Sequence, residues 1–293
     1  MGLFDFFKQN PRIAVAYSGG ADSSYLLYAA KSSGCDVRAY FIKSQFQPDF
    51  ELEDAKRLAA SLDVPLTVAT FDVFGVPNVA RNLADRCYYC KTAILLKIRE
   101  LAEADGVAVV CDGTNADDDE TDRPGMRALR EQGIVSPLRD CGLTKADIRR
   151  MSNQAALFTH NKPAYACLAT RIPAGTPITE GLLRKIDRAE TALTKLGLTD
   201  FRVRVIEVKQ VDAVKQGDAV KQGDVKQGDA VKQGDAKQVD AVKQGDVSRV
   251  SQLFARIQVP ENQWSTAAAL RAEILAATQE NFTAVMLDLV ARE

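Results

Sequence analysis

The chain reads Ile13-Ala-Val-Ala-Tyr-Ser-Gly-Gly-Ala-Asp-Ser-Ser24 near its start and continues as Tyr25-Leu-Leu-Tyr-Ala-Ala30. An apolar run, a polar Gly-rich turn and a second apolar run predict a strand, a turn and a helix in that order. Gly19 and Gly20 carry no Cβ, so the backbone there can take positive φ and approach an anion closely. Ser18, Ser23 and Ser24 add hydroxyl donors beside the free amides of a helix N-terminus, and a pyrophosphate fits such a turn. The Gly-x4-Gly-Lys-Ser/Thr pattern of Walker ATPases and the Gly-x-Gly-x-x-Gly of dinucleotide folds are both missing, which excludes those two readings.

Outward from this turn the chain alternates β and α signals. Strands are expected at Ile13–Tyr17, Asp36–Ile42, Leu66–Thr70 and Val107–Asp112, and helices at Ser24–Ser33, Glu51–Ser61 and Lys91–Asp105. Such alternation predicts an α/β parallel sheet covered by helices, with ligands in the crevice beyond the carboxyl ends of the strands. The segments after Tyr17, Ile42 and Asp112 should therefore face one another. The last of them, Asp112-Gly-Thr-Asn-Ala-Asp-Asp-Asp119, is a polar turn in which Gly113 and Thr114 are candidates to let a nucleotide approach.

The texture changes from Lys162 onward, where Pro163, Pro173 and Pro177 punctuate a loop. An amphipathic helix follows at Glu180–Leu196, then a strand at Phe201–Val205, a return strand at Leu253–Val259, a helix at Ala267–Thr278 and a last strand at Ala284–Val290. This predicts a domain over residues 1–160 and a smaller C-terminal α/β domain over 161–293, concerned with substrate and oligomerisation. Inside the second lies a low-complexity insert, 209–246, in which Lys-Gln-Gly-Asp occurs five times and Lys-Gln-Val-Asp twice. Its side chains are small or polar, so it cannot bury enough surface to offset its ordering entropy, and a disordered tandem expansion within a hairpin loop is expected.

Composition narrows the function. A length of 293 residues with 46% hydrophobic content can build a sizeable core, and a net charge of −1 implies neither a nucleic-acid nor a membrane surface. The start has no basic region before an apolar stretch, and no run of apolar residues is long enough to span a bilayer, so a cytoplasmic location is expected.

Six cysteines in so long a chain are not a disulfide framework. Cys87-Tyr-Tyr-Cys90 opens a predicted helix, whose partial positive charge favours thiolate, and Cys167 follows in the loop after Lys162. Cys35, Cys111 and Cys141 read as small hydrophobes. A Cys-x-x-Cys pair also fits thiol–disulfide exchange, or zinc with His160 as a fourth ligand. Three thiolates suit a [4Fe–4S] cluster with one iron left open to exogenous sulfide.

Ser18-Gly-Gly-Ala-Asp-Ser23 resembles the PP-loop of ATP pyrophosphatases, which split ATP between its α and β phosphates. Further motifs make the resemblance narrower: Asp85-Arg-Cys-Tyr-Tyr-Cys-Lys91, Asp112-Gly-Thr-Asn-Ala-Asp-Asp118, Arg123-Pro-Gly-Met-Arg-Ala128, Gly142-Leu-Thr-Lys-Ala-Asp-Ile-Arg149, Lys162-Pro-Ala164, Cys167-Leu-Ala-Thr-Arg-Ile-Pro173 and Arg202-Val-Arg204. In this order they resemble the LarE-type ATP-dependent sulfur transferases of nickel-pincer cofactor synthesis. The resemblance implies a PP-loop (adenine nucleotide alpha hydrolase-like) domain and a smaller α/β domain. It also implies ATP- and Mg2+-dependent adenylylation of a carboxylate of a pyridinium biscarboxylate mononucleotide, with sulfur then displacing AMP. One version of the family sacrifices the sulfur of a cysteine matching Cys167; the other holds a [4Fe–4S] cluster on cysteines matching Cys87, Cys90 and Cys167, and this chain has all three.

Roles follow from the resemblance and from residue chemistry. Ser18, Gly19, Gly20, Ser23 and Ser24 would hold pyrophosphate, Asp22 would organise magnesium or the loop, and Gly113 and Thr114 would admit AMP. Arg171, Arg202 and Arg204 are candidates for the substrate phosphate or carboxylates, with Glu190 facing the same site. The expected partner is the small-molecule substrate, with no nucleic acid or membrane, in a homo-oligomer. Gln258 stands where the family has an acidic residue. A tRNA thiolase is the nearest enzymatic rival, and a nucleotide-binding scaffold or iron–sulfur carrier the rival from outside enzymology. Deleting Lys209–Asp246 is expected to change the melting temperature little, and a scanning-calorimetry loss of more than a few degrees would refute a disordered insert.

Overall fold

The computed structural model describes residues 2–118, 124–209 and 251–291. The Lys-Gln-Gly-Asp segment from Gln210 onward and Arg123 of the Arg-Pro-Gly motif lie outside the described residues. In chain order the elements of the first half are α1 (Leu3–Gln9), β1 (Arg12–Ala16), α2 (Ala21–Ser32), β2 (Asp36–Lys43), α3 (Asp49–Ser61), β3 (Leu66–Thr70), α4 (Arg86–Ala104), β4 (Val110–Cys111), α5 (Pro124–Glu131), α6 (Pro137–Asp140) and α7 (Lys145–Gln154). The second half contributes α8 (Glu180–Lys195), β5 (Arg202–Lys209), β6 (Ser251–Gln258), α9 (Trp264–Ala269), α10 (Arg271–Thr278) and β7 (Ala284–Leu287).

β1 to β4 form one parallel sheet in the order β3-β2-β1-β4, with Val15 opposite Ala39 on one side and Cys111 on the other. Strand alternation assigns the two faces. Ile13, Val15, Val37, Ala39 and Phe41 pack against α1, α2, α3 and α7, whereas Ala14, Tyr40 and Ile42 pack against Ile98 and Ala102 of α4. Each large side chain buried this way contributes about 1.5–3 kcal/mol. The expected strands and helices of this half are present within a few residues, and α4 opens at Arg86 so that Cys87 lies in its first turn and Cys90 at the start of its second. Only Val110–Cys111 of the expected fourth strand is laddered.

Four helices lie outside the expected set: α1, α5, α6 and α7. The signal for α7 is present in Thr144-Lys-Ala-Asp147, a capping box in which Thr144 Oγ1 accepts from the Asp147 amide at 3.1 Å. The short apolar face of this helix hides it from a periodicity argument.

β5, β6 and β7 form a second sheet in that order, with β5 and β6 antiparallel, Arg204 facing Arg256 and Arg202 facing Gln258, and β6 and β7 parallel. The expected hairpin strands therefore pair with each other. The single helix expected at Ala267–Thr278 is divided at Leu270 into α9 and α10. Thr179 caps α8, and Leu182, Leu183, Ile186, Ala189 and Leu193 bury its apolar face against Val203, Val205, Ala255 and Ile257. This second core draws in Phe46, Val73 and Val79 from before residue 160, and the Leu168 amide donates to the Phe46 carbonyl at 2.9 Å. No helix among the described residues is long and apolar enough to cross a membrane.

The turn after β4 packs at Gly113 on the first turn of α2. A Cβ there would lie 2.7 Å from the Ser23 nitrogen and 2.9 Å from its Cα, closer than side chains pack, and both obstacles are backbone. Gly113→Ala is therefore expected to lower stability by about 1–3 kcal/mol. Gly181→Ala, in a helix where nothing lies within 4 Å, should be neutral or stabilising by up to about 1 kcal/mol. Urea midpoints of the two variants measure the contrast, and equal midpoints would refute it.

Candidate functional site

A cavity of about 430 Å³ opens where the sheet's carboxyl ends meet the segment after Lys162. Ser18, Gly20, Ala21, Asp22 and Ser23 form one wall, Asp112, Gly113 and Thr114 a second, and Lys162 to Tyr165 with Cys167 a third. Gly20 is the N-cap of α2, so the amides of Ala21, Asp22 and Ser23 have no partner inside the helix. Gly19 takes φ +74°, and a Cβ there would stand 3.0 Å from the Glu51 carbonyl oxygen. The turn is thereby pressed against α3 in a conformation that favours glycine.

The expected ligands of this turn divide. Ser18 Oγ and Ser23 Oγ lie 3.1 Å apart at the cavity, whereas Ser24 is fully buried and pairs with the Tyr17 hydroxyl at 3.4 Å. Ser24 and Gly19 thus shape the turn from behind. Asp22 Oδ2 accepts from Asn115 Nδ2 at 3.3 Å, while its buried Oδ1 has no partner among the described residues. Burial raises the Asp22 pKa against the opposing influence of Lys145 and Asn115. Asp112, clamped by Thr114 Oγ1 at 2.6 Å and Ser136 Oγ at 2.7 Å, fixes the β4 turn.

Cys87, Cys90 and Cys167 are brought into one region by two side chains. Asn82, at φ +55°, donates from Nδ2 to the carbonyls of Pro173 at 2.8 Å and Thr176 at 3.0 Å. Its Oδ1 accepts from Arg86, whose guanidinium also reaches the Ala169 carbonyl at 3.0 Å and Cys87 Sγ at 3.6 Å. The start of α4 is thereby fastened to the Cys167 loop. Burial pushes the Cys90 thiol up to about 12, reinforced by charge on Cys167 and Cys87, and burial also raises Cys167. At Cys90 desolvation opposes the thiolate that the partial charge of a helix end favours. Among the described residues no three His, Cys, Asp or Glu side chains stand in the spacing that holds a single metal ion.

Arg171 and Glu190 come together, but away from the wall of this cavity. The Arg171 side chain is wholly buried; it donates to Glu190 from Nε at 2.8 Å and from Nη2 at 3.0 Å, and from Nη1 to Ala166 O and Thr170 Oγ1. Glu190 also accepts from the Tyr165 hydroxyl at 2.6 Å and the Val203 amide at 2.9 Å. With its donors committed inside the protein, Arg171 holds the Cys167 loop, and the expectation that Arg171 meets substrate anions directly has no counterpart in this arrangement. Arg202 Nη2 reaches Ala164 O at 3.3 Å, and Arg204 reaches Thr170 O at 3.0 Å and Gln258 Oε1. Gln258 Nε2 passes the connection on to Asp288 at 2.8 Å. The amide therefore joins Arg204 to a carboxylate one strand further away.

Several cavity residues were not singled out from sequence. Lys145 and Arg149 on α7, Lys91 on α4 and Lys162 line the same cavity as the Ser18–Ser23 turn, as does Glu51 on α3. Lys162 Nζ donates to Gly19 O at 3.0 Å and to Asp54 at 2.8 Å. The quoted Gly142–Arg149 and Lys162–Ala164 motifs contain three of these cations; what was lacking was the capping-box argument that puts Lys145 and Arg149 on one helix. Glu51 left no signal, since a glutamate in a first helical turn is ordinary.

No protein-family model matches the chain. It is 36% identical over 203 residues to an uncharacterised protein of Synechocystis, covering 69% of this chain and 76% of that protein. It is 32% identical over 199 residues to the pyridinium-3,5-bisthiocarboxylic acid mononucleotide synthase of Lactiplantibacillus plantarum, covering 67% of this chain and 72% of the synthase. A tRNA-specific 2-thiouridylase of Hahella chejuensis matches at 25% over 188 residues, about half of each chain. With the phosphate turn, the parallel sheet and this degree of identity to the synthase, the chain belongs to the LarE-type sulfurtransferase family.

Proposed function

We propose that this protein uses ATP and Mg2+ to adenylylate a carboxylate of pyridinium-3,5-biscarboxylic acid mononucleotide and then replaces AMP by sulfur, yielding a thiocarboxylate. The sulfur is delivered through a [4Fe–4S] cluster on Cys87, Cys90 and Cys167. One observation carries the reading: the phosphate turn and Cys167 line the same cavity. Activation and sulfur arrival can then occur on one bound substrate without its release.

The free amides of Ala21, Asp22 and Ser23, with the hydroxyls of Ser18 and Ser23, hold the departing pyrophosphate. Lys145, Arg149 and Lys162 neutralise the charge that accumulates on it. The unpartnered buried Oδ1 of Asp22 suits a magnesium ion, which takes oxygen ligands. Gly113 lets the turn bearing Thr114 close on the Ser23 backbone, and that turn forms the wall against which AMP would lie. Attack of the substrate carboxylate on the α phosphorus expels pyrophosphate, and attack of sulfur on the acyl carbon then expels AMP.

The donor set suits an iron–sulfur cluster: three thiols, each of Cys90 and Cys167 sensing charge on its neighbours, with no imidazole or carboxylate among them. A cubane takes one thiolate per iron, so its ligands need not converge on one ion. When bound, such a cluster supplies one iron without a protein ligand, at which exogenous sulfide can coordinate. Arg86 holds Cys87 beside the Cys167 loop, and Arg171 with Glu190 fixes that loop from within. The polar residues of the Cys167 side, Arg202 and Arg204, would orient the substrate's anionic groups.

Anaerobically purified protein is expected to contain about four iron and four acid-labile sulfide per chain, with Cys90→Ala losing both. Incubation with ATP, the mononucleotide and sulfide should add sulfur mass to the substrate and release AMP, leaving Cys167 unchanged in mass. Loss of one hydrogen sulfide from Cys167, without iron, would replace the cluster route by the sacrificial one. Absence of AMP with this substrate, but its release with tRNA, would move the reading to a tRNA thiolase; absence with both would leave a scaffold.

A further inference from the structure

Glu51 lies in the first turn of α3, 8% exposed, and lines the same cavity as Asp22 and Cys167. Among the described residues its carboxylate makes no hydrogen bond and no ion pair, in contrast to Asp22, Asp112 and Glu190. A buried carboxyl that spends none of its acceptors on the protein and opens on a cavity is free to exchange a proton with what the cavity holds. Its backbone carbonyl backs Gly19 of the phosphate turn, and the Arg171 guanidinium, which grips the Cys167 loop, acts on its charge. Glu51 is therefore coupled both to the turn assigned to ATP and to the side chain that grips the Cys167 loop.

We infer that Glu51 is the general base of the sulfur-transfer step, taking the proton of an incoming hydrosulfide as its sulfur attacks the acyl adenylate. This rests on the adenylylation and sulfur transfer proposed above. The C–S bond forms, the acyl C–O bond to AMP breaks with its electron pair leaving on the AMP phosphate, and the S–H proton passes to the Glu51 carboxylate. No electrons are gained or lost overall.

The surroundings suit that task. Burial raises the Glu51 carboxyl to about 7, against Lys162, Arg171 and Lys43, which favour the ionised form, while Asp54 opposes it. The Tyr165 hydroxyl, committed to Glu190, faces the same group. A base of this strength is half ionised near neutrality, where a general base is most effective. Since the raised value makes the carboxyl neutral below about 7, base catalysis is present above that pH and lost as pH falls through it.

The test compares full-length wild type with Glu51→Gln and Glu51→Asp, using ATP, the mononucleotide and sodium sulfide. Pyrophosphate exchange into ATP reads adenylylation, and mass spectrometry of the thiocarboxylate reads sulfur transfer. Glu51→Gln should keep exchange within about twofold and slow sulfur transfer about 10²–10⁴-fold, with partial recovery in Glu51→Asp. The wild-type to Glu51→Gln rate ratio, in which the ionisation of sulfide itself cancels, should rise with pH through about 7. An unchanged sulfur-transfer rate with a flat ratio would overturn the inference, as would equal loss of exchange and transfer in a variant with native melting temperature. Should Glu51→Gln fail to fold, the wild-type to Glu51→Asp ratio takes its place, and a flat one overturns the inference equally. Absence of exchange in wild type would instead overturn the adenylylation reading, and this inference with it.

Discussion

The site depends on the clasp formed by Asn82 and Arg86. Both side chains are buried, and between them they reach the carbonyls of Ala169, Pro173 and Thr176 across more than eighty residues of chain. The geometry is demanding: Asn82 adopts the left-handed conformation, which asparagine tolerates better than most residues, and so turns its amide toward the Cys167 loop. Each buried polar group left without its partner would cost about 1–3 kcal/mol. The clasp is therefore a strongly specified contact, and it brings the Cys-x-x-Cys helix to Cys167.

Charge is distributed around the cavity according to what each carboxylate has to hold. Glu190 is saturated by Arg171, Tyr165 and the Val203 amide and serves as an internal anchor. Asp112 is saturated by Thr114 and Ser136 and stiffens a turn. Among the described residues Asp22 keeps one oxygen unpartnered, and Glu51 keeps both. Four residues of one acidic chemistry thus acquire separate properties from their neighbours alone. A buried pair such as Arg171 with Glu190 is weak as a source of stability; here it connects α8 to the segment bearing Cys167.

Much of the first sheet was legible in the sequence because its physics is local. A strand buried on both faces reads as an apolar run, and Ser18-Gly-Gly-Ala-Asp-Ser23 announces a tight turn into a helix by residue type alone. The pairing of Arg202–Lys209 with Ser251–Gln258 was foreshadowed by two alternating strands either side of the repeat. The helices α1, α5, α6 and α7 were not legible by periodicity, because they are short or bury few residues. Cys90 shows the limit of a local argument: its helix position favours a thiolate, and its burial opposes one.

By itself the sequence determined the order of the strands and longer helices, the Gly-rich turn between β1 and α2, the positions of Cys87, Cys90 and Cys167, and the family these resemble, since each is a matter of residue type and spacing along the chain. Tertiary structure alone decided which of those groups face one space. It turned Ser24 inward, committed Arg171 to Glu190, joined Arg204 to Asp288 through Gln258, and placed Glu51 at the cavity. The physical reason is that hydrogen-bond saturation and desolvation depend on atoms contributed by distant segments. No window of neighbouring residues contains them.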